Sequence, residues 1–442
     1  MTVTRIPLSG LEAALLPGAS VELVVTTPDP VPPPPVEPPP VEPPPVEPPP
    51  VVVPPTPAPT GKAIASDSIV DRIGVSGMHI GFDDPRWKGW GWLDLFKKLG
   101  VRKVRTNIAT KEGVADFLRL GVKGLFVVGN DPAKQIPLLA DLVAKGLVVG
   151  MEGMNERNGG EDEGGSTAWA DEVRRSQAEI HRLIPAGIPE YGPSIWMRET
   201  WAYKAIGPVT GRGSLHHYAG GRMASLGMIG KDNPATFAEI LAQMEITNPG
   251  QPVDVTEFNQ QISDTGPYTG QLMTADLGSR NTLRGIIYLL THGVGSVYIY
   301  GLLDKTSGGG HGLLRTNADG TFTPRPLYLA LQRLISMMAD PGPAFTPKGL
   351  AYDVEGEFPS LQIVETERRD GTTTLLVWNE ASIWAISRAG EIVVAPKPIK
   401  LTFPVSKTVT AYDPHTGNAK MLGQGTQIEV PVTASLQLIR IT

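Results

Sequence analysis

The sequence predicts an α/β chain: a (β/α)8 (TIM) barrel followed by an antiparallel β-sandwich, both preceded by a polyproline II linker. Three observations carry this. Eight short β-like runs alternate with amphipathic helical stretches between residues 72 and 338, which is the element count of a (β/α)8 barrel. From about residue 345 the pattern changes to alternating apolar and polar residues between turn signals, as in a sandwich. Between residues 28 and 60 proline dominates, and the unit VEPPP occurs three times over 36–50.

Residues 1–27 come first and end in the β-like SVELVVTT. So short a segment cannot bury a core alone, and it reads as an attachment or assembly segment. Residues 28–62 form the linker. Proline fixes φ and donates no hydrogen bond, so the stretch is expected to be extended. At ~3.1 Å per residue, about 33 residues reach ~100 Å. The barrel is assigned to 63–343, with strands over 72–80, 101–108, 122–130, 146–155, 189–195, 213–219, 252–259 and 294–302. The helices fall at 90–100, 111–121, 133–146, 167–184, 199–206, 234–245, 278–293 and 324–338. A doubly wound open sheet is the competing arrangement, but no Gly-rich dinucleotide turn follows the first strand. The sandwich takes 344–442, with turns at Asp370-Gly371 and Thr416-Gly417.

Bulk composition narrows the function classes. The chain has 442 residues, 41% hydrophobic and 19% charged, with a net charge of −6. That suits a folded chain with a sizeable core. No basic cluster offsets the acidic balance, so no nucleic-acid partner is expected. No run of 18 apolar residues occurs, so no membrane insertion is expected. Cysteine is absent, which rules out disulfides and thiolate metal sites. The opening apolar stretch is interrupted by Pro7, Glu12 and Pro17, and no secretion signal is read there.

In such barrels the working residues lie at the C-terminal ends of the strands. The second strand ends near Arg105 and the fourth on Asn155-Glu156. The sixth ends on His216-His217-Tyr218, the seventh on Thr256-Glu257, and the eighth carries Tyr298 and Tyr300. Two carboxylates at one face are what glycosidic cleavage needs: one protonates the leaving oxygen, the other attacks or stabilises the anomeric carbon. Arg105 is expected to hold Glu257 ionised, Tyr218 to hydrogen-bond the same carboxylate, and Asn155 to meet a sugar hydroxyl. Adjacent strand residues face opposite ways, so His216 and His217 are not expected to form a metal pair. Trp196, after the fifth strand, is a candidate sugar platform. Glu152 reads as an interior polar residue, Trp87, Trp90 and Trp92 as helix-start packing, and the Gly-rich 306–312 as a mobile rim loop.

At these residues the chain resembles the clan A retaining glycoside hydrolases. MNERN (154–158) resembles their Asn-Glu-Pro-Asn motif and VTEFN (255–259) their strand-seven nucleophile. HHY (216–218), VRKVR (101–105) and the family 39-like YGPSI (191–195) resemble their strand-six, strand-two and strand-five motifs. The C-terminal sandwich is similar to that subgroup's accessory domain. The resemblance implies a retaining mechanism, with Glu156 as acid/base and Glu257 as nucleophile. It implies Asn155, Arg105, His216, Tyr218 and Trp196 as substrate-binding residues. Tyr298 or Tyr300 stands in for a strand-eight tryptophan.

The expected protein is therefore a retaining O-glycosidase of a cell-surface or cell-wall polysaccharide. It uses no metal and no cofactor. The competing function is an inert carbohydrate-binding or structural barrel, as in a virion tail or adhesin. An extracellular or virion-associated setting, with the N-terminal segment attached to a larger assembly, fits the linker; a cytoplasmic one is the alternative.

Overall fold

The computed structural model describes residues 2–7, 22–27, 63–78, 85–108, 110–158, 168–230, 233–266, 268–304 and 309–442. The expected linker, 28–62, lies outside the described residues. Residues 1–52 form a unit of their own. In it Thr2–Pro7 pairs antiparallel with Glu22–Thr27.

The barrel strands are β1 (Ile73–Met78), β2 (Lys103–Thr106), β3 (Lys123–Val127), β4 (Val148–Glu152), β5 (Glu190–Tyr191), β6 (Gly213–His216), β7 (Val253–Phe258) and β8 (Val294–Tyr300). All are parallel, and they run in the order β5-β4-β3-β2-β1-β8-β7-β6. A single parallel bridge, Tyr191 to Arg212, joins the two ends, so the cylinder is nearly closed. Every strand falls within its expected window.

Each strand is followed by helix, as the apolar periodicity requires. Ala168–Leu183 buries Trp169, Ala170, Val173, Gln177 and Ile180 on one stripe, the i, i+3, i+4 spacing of an amphipathic helix. Two windows differ from expectation. The helix read over 133–146 divides into Pro132–Leu138 and Ala140–Ala144, with Pro137 inside the first piece. Proline removes a backbone donor and crowds the preceding turn. The sixth helix opens with a capping box between Thr236 and Glu239 and divides into Phe237–Ala242 and Met244–Thr247.

The C-terminal strands are β9 (Asp353–Glu355), β10 (Leu361–Glu367), β11 (Thr373–Asn379), β12 (Lys397–Tyr412), β13 (Ala419–Val432) and β14 (Gln437–Ile441). The long β12–β13 ribbon shifts register between Thr402 and Lys407. Its first half pairs with β9 and its second half with β14. Leu375, Val377, Ile399, Leu401, Val409, Val430 and Ile439 meet in one core. The alternate residues Leu376, Trp378 and Leu438 belong to the barrel's core instead. The period of two thus gives β11 and β14 one face for each domain.

One connection was not anticipated. Ile64–Ala65 pairs parallel with Thr366–Glu367 on β10 before the chain enters the barrel. The C-terminal sheet is therefore mixed, and its edge comes from the other end of the described barrel-and-sandwich unit.

Candidate active site

The chain leaves β4 at Glu152 and runs through Gly153, Met154 and Asn155 to Glu156. Asn155 bridges to Ser194, and the Glu156 N–H donates to the Ser194 carbonyl at 3.1 Å. Glu156 has a φ of 48°, a left-handed conformation uncommon for a residue with a Cβ. Its side chain is one-quarter exposed, and its Oε1 lies 2.7 Å from Nδ1 of His216.

Glu257 stands one residue inside the end of β7 and is buried. Both of its oxygens accept hydrogen bonds: Oε1 from Arg105 Nη1 at 2.8 Å, Oε2 from the Tyr218 hydroxyl at 2.5 Å. His216 Nδ1 lies 3.6 Å from the same Oε2, so His216 stands between the two carboxylates. Burial, then the charge of Glu257, pushes the Tyr218 phenol well above its usual range. It therefore stays protonated and donates.

Arg105 organises the floor. Its Nε and Nη2 contact the two oxygens of Glu152 at 2.5 and 2.9 Å, and Nη2 also donates to Asn155 Oδ1 at 2.7 Å. Glu152 is fully buried and also accepts from Ser214 Oγ at 2.5 Å. Burial opposes the Arg105 charge, but the Glu152 and Glu257 carboxylates outweigh it and hold the guanidinium above its ordinary value. A bidentate arginine–carboxylate pair fixes direction as well as charge. Arg105 thereby fixes Glu257 from below.

His216 and His217 do face opposite ways. His217 packs between Phe237 and Phe258 and bonds the Ala224 carbonyl through Nε2 at 2.9 Å. Burial pushes it down to about 3, so it is neutral.

Glu156, His216, Tyr218, Glu257, Trp196 and Tyr300 line one open cleft. Arg105 lies beneath and the exposed Asn155 beside it, both joined to it through the hydrogen bonds above. Tyr298 is a correction. It is buried among Leu125, Tyr191 and the Lys103 ammonium, 5.2 Å from its ring centre, and does not line the cleft. Tyr298 and Tyr300 share the inner face of β8, but two residues along a strand is about 6.6 Å of depth. Only Tyr300 reaches the rim.

Several lining residues carried no sequence signal. Met228 lies on the short strand Leu226–Ile229, Met197 and Arg198 in the turn Trp196–Arg198, and Gly220, Gly230 and Gln271 in connecting turns. Part of the expected rim loop is held in place: Gly309–Gly310 pairs with Ile262–Ser263, and the His311 ring packs edge-on against Tyr218 and Tyr300. Asn259 donates to the carbonyls of Tyr300 and His311 and so fastens this wall.

Glu156, His216 and Glu257 also offer donor atoms within 4.8 Å of one another, the one such trio among the described residues. The same Glu257 carboxylate already accepts from a guanidinium and a phenol. A divalent cation there would sit beside the fixed charge of Arg105, so the donor set fits a metal poorly. The arrangement can instead place a proton donor and a carboxylate acceptor on either side of one bond.

No family model matches the chain, and no curated protein matches it. Solved structures do. A family 51 arabinofuranosidase from Xanthomonas axonopodis pv. citri aligns with 13% identity and a TM-score of 0.50, over 86% of this chain and 97% of that one. A monomeric β-xylosidase from Caulobacter crescentus CB15 gives the same values. At this identity the likeness establishes the fold: the chain shares their architecture, a TIM barrel followed by a C-terminal sandwich.

Proposed function

We propose that the protein is a retaining glycoside hydrolase of clan A. Glu156 is the acid/base and Glu257 the nucleophile, and the substrate is an oligo- or polysaccharide of a cell surface or cell wall. The carrying observation is the closeness of the two carboxylates, whose facing oxygens lie within 4.8 Å of one another across His216. Inverting enzymes keep their carboxyl groups about 6.5–9.5 Å apart to admit a water, whereas retaining ones hold them at about 5–5.5 Å. The short approach of the two carboxylates supports the retaining arrangement. The two neighbours of this fold are named as an arabinofuranosidase and a xylosidase, which supports a carbohydrate substrate. The proline-rich 28–62 stretch supports action at a distance from an anchor, outside the cell or on a virion.

In the proposed reaction Glu257 attacks the anomeric carbon while Glu156 gives its proton to the leaving oxygen. Water, deprotonated by Glu156, then displaces Glu257 and releases the sugar. The test uses aryl glycosides and cell-wall glycans on the purified chain. Glu257→Gln is expected to abolish turnover, because no glycosyl-enzyme can form. Glu156→Ala is expected to slow substrates with poor leaving groups by roughly 10²–10⁴. Azide should rescue that variant on activated aryl glycosides and give a product of retained configuration. An inverted product, or near-normal rates in Glu257→Gln, overturns the assignment. Glycan binding without any turnover in the unaltered chain would select the inert-barrel reading.

A further inference from the structure

Resting on that reading, the cleft carries one charge that the two-glutamate chemistry does not use. Arg198 ends the short turn Trp196–Arg198, in which Met197 and Arg198 both have left-handed φ angles, 54° and 53°. Five non-glycine residues among those described have positive φ, and three of them, Glu156, Met197 and Arg198, line this cleft. Backbone strain concentrates where a side chain must be placed against local preference. Here it brings Trp196 and Arg198 to the same wall, and the Gly230 N–H, donating to the Met197 carbonyl at 2.8 Å, holds the turn.

Arg198 is only 3% exposed. Its Nε donates to the Met228 carbonyl at 2.7 Å and its Nη1 to the His216 carbonyl at 3.0 Å. Nη2 makes no hydrogen bond, and the guanidinium forms no ion pair among the described residues. Burial pushes Arg198 down to about 10, Tyr203 and the Glu156 carboxylate opposing it and Arg222 adding to it, so it remains a cation at neutral pH. Arg222 is half-buried, reaches the Gly220 carbonyl at 3.4 Å, and also has no ion pair among the described residues. Glu199, next along the chain, pairs with neither.

Buried charges are ordinarily paired, and the other buried arginines follow the rule or replace it. Arg105 has Glu152 and Glu257, and Arg325 has Asp264 and Asp304. Arg284 has no carboxylate contact, but its two terminal nitrogens reach three acceptors. Arg198 alone of these combines a cleft position, a terminal nitrogen without a partner and a second arginine close by. The chain has 45 acidic residues to 39 basic ones, so acidic side chains were plentiful.

We propose that Arg198, backed by Arg222, reads an anionic group on the sugar beside the scissile bond, so that the substrate is an acidic glycan. Guanidinium recognises carboxylate, sulfate and phosphate through the same forked donors. The group belongs on the sugar in the cleft because Arg198 is anchored to the carbonyl of His216, the residue that also contacts Glu156.

The test is direct binding to the full chain, followed by tryptophan fluorescence and calorimetry. The probes are glucuronate, galacturonate, glucose 6-sulfate and glucose 6-phosphate, with glucose and galactose as neutral counterparts. At least one acidic class is expected to bind roughly tenfold or more tightly than its neutral counterpart, and the class that does so identifies the anion. Arg198→Lys and Arg222→Gln are each expected to weaken the acidic probe roughly tenfold more than the neutral one, the scale of one lost charge-assisted hydrogen bond. Should Arg198→Lys not fold, the half-exposed Arg222→Gln carries the test. Equal binding of acidic and neutral probes, no binding of any acidic probe, or equal weakening of both by the variants overturns the proposal. Acid-selective binding with no hydrolysis of aryl glycosides carrying the anion that binds keeps the anion site and sinks the glycosidase. Fast hydrolysis of neutral aryl glycosides with no acid preference does the reverse.

Discussion

Arg105 ties the stability of the barrel floor to the proposed chemistry. It pairs with Glu152 and Glu257 and donates to Asn155. Removing one partner of a buried pair leaves uncompensated charge and costs about 3–5 kcal/mol. Arg105→Met is therefore expected to lower the unfolding free energy by that order and to abolish turnover, measured by denaturant melts and aryl-glycoside assays. Tyr218→Phe separates the two roles. It removes a single donor to Glu257, so turnover should fall while the melt moves by only about 1–2 kcal/mol. A Tyr218→Phe variant with unchanged turnover would show that the phenol is only packing. Most of this site was legible in the sequence because strand ends are fixed points: Arg105, Asn155, Glu156, His216, Tyr218 and Glu257 all follow or close an apolar run. Tyr298 misled because periodicity gives the face of a strand and not the depth along it. Arg198 was invisible because its placement depends on two left-handed residues in a loop.

At the scale of elements, β6 and β7 are joined to the sixth helix through His217. Its ring lies parallel to Phe258 and edge-on to Phe237 at the start of that helix. The folded value near 3 lies below the ordinary 6.5, so the unfolded chain takes up this proton first. The stability it confers is full above about pH 6.5 and is lost as pH falls towards 3. The slope is up to about 1.4 kcal/mol per pH unit. His415, pushed down to about 4 mainly by burial, acts in the same direction. Replacing His217 by Phe gives up the bond to Ala224, so the variant should be weaker at pH 7. Between pH 6 and 4, however, its unfolding free energy should fall less steeply than that of the parent. Parallel pH profiles would show that His217 does not stay neutral on folding. The barrel elements themselves were legible because each strand window is a short apolar run closed by polar or Gly residues. The helix boundaries were less so, since Pro137 sits inside an apolar stripe that periodicity alone joins into one helix.

At the scale of the barrel-and-sandwich unit, the two layers share a core. Leu376, Trp378, Leu436 and Leu438 pack with the barrel's apolar residues. Arg284, on helix Ala275–Thr291, donates to the carbonyls of Asn379 and Ala434 at 3.1 and 2.9 Å. Arg333, on helix Pro326–Met338, does the same for Pro414 and His415. The Ile64–Ala65 strand lies on the far side of the barrel in sequence yet completes the β10 edge. Deleting 345–442 would therefore strip acceptors from two arginines, one of them fully buried, and bare a contiguous apolar surface. That truncated chain is expected to be insoluble, or to bind hydrophobic dyes without a cooperative melt. A chain beginning at residue 61 keeps Ile64–Ala65 and should melt like the parent with full activity on soluble substrates. A chain beginning at residue 66 loses only that edge strand and should melt at a lower temperature. The contrast between the last two is what the parallel pairing adds to a plain linker-and-domain reading. A soluble, active 63–344 fragment, or identical melts for the chains beginning at 61 and 66, would show that the seam contributes nothing to the barrel's stability.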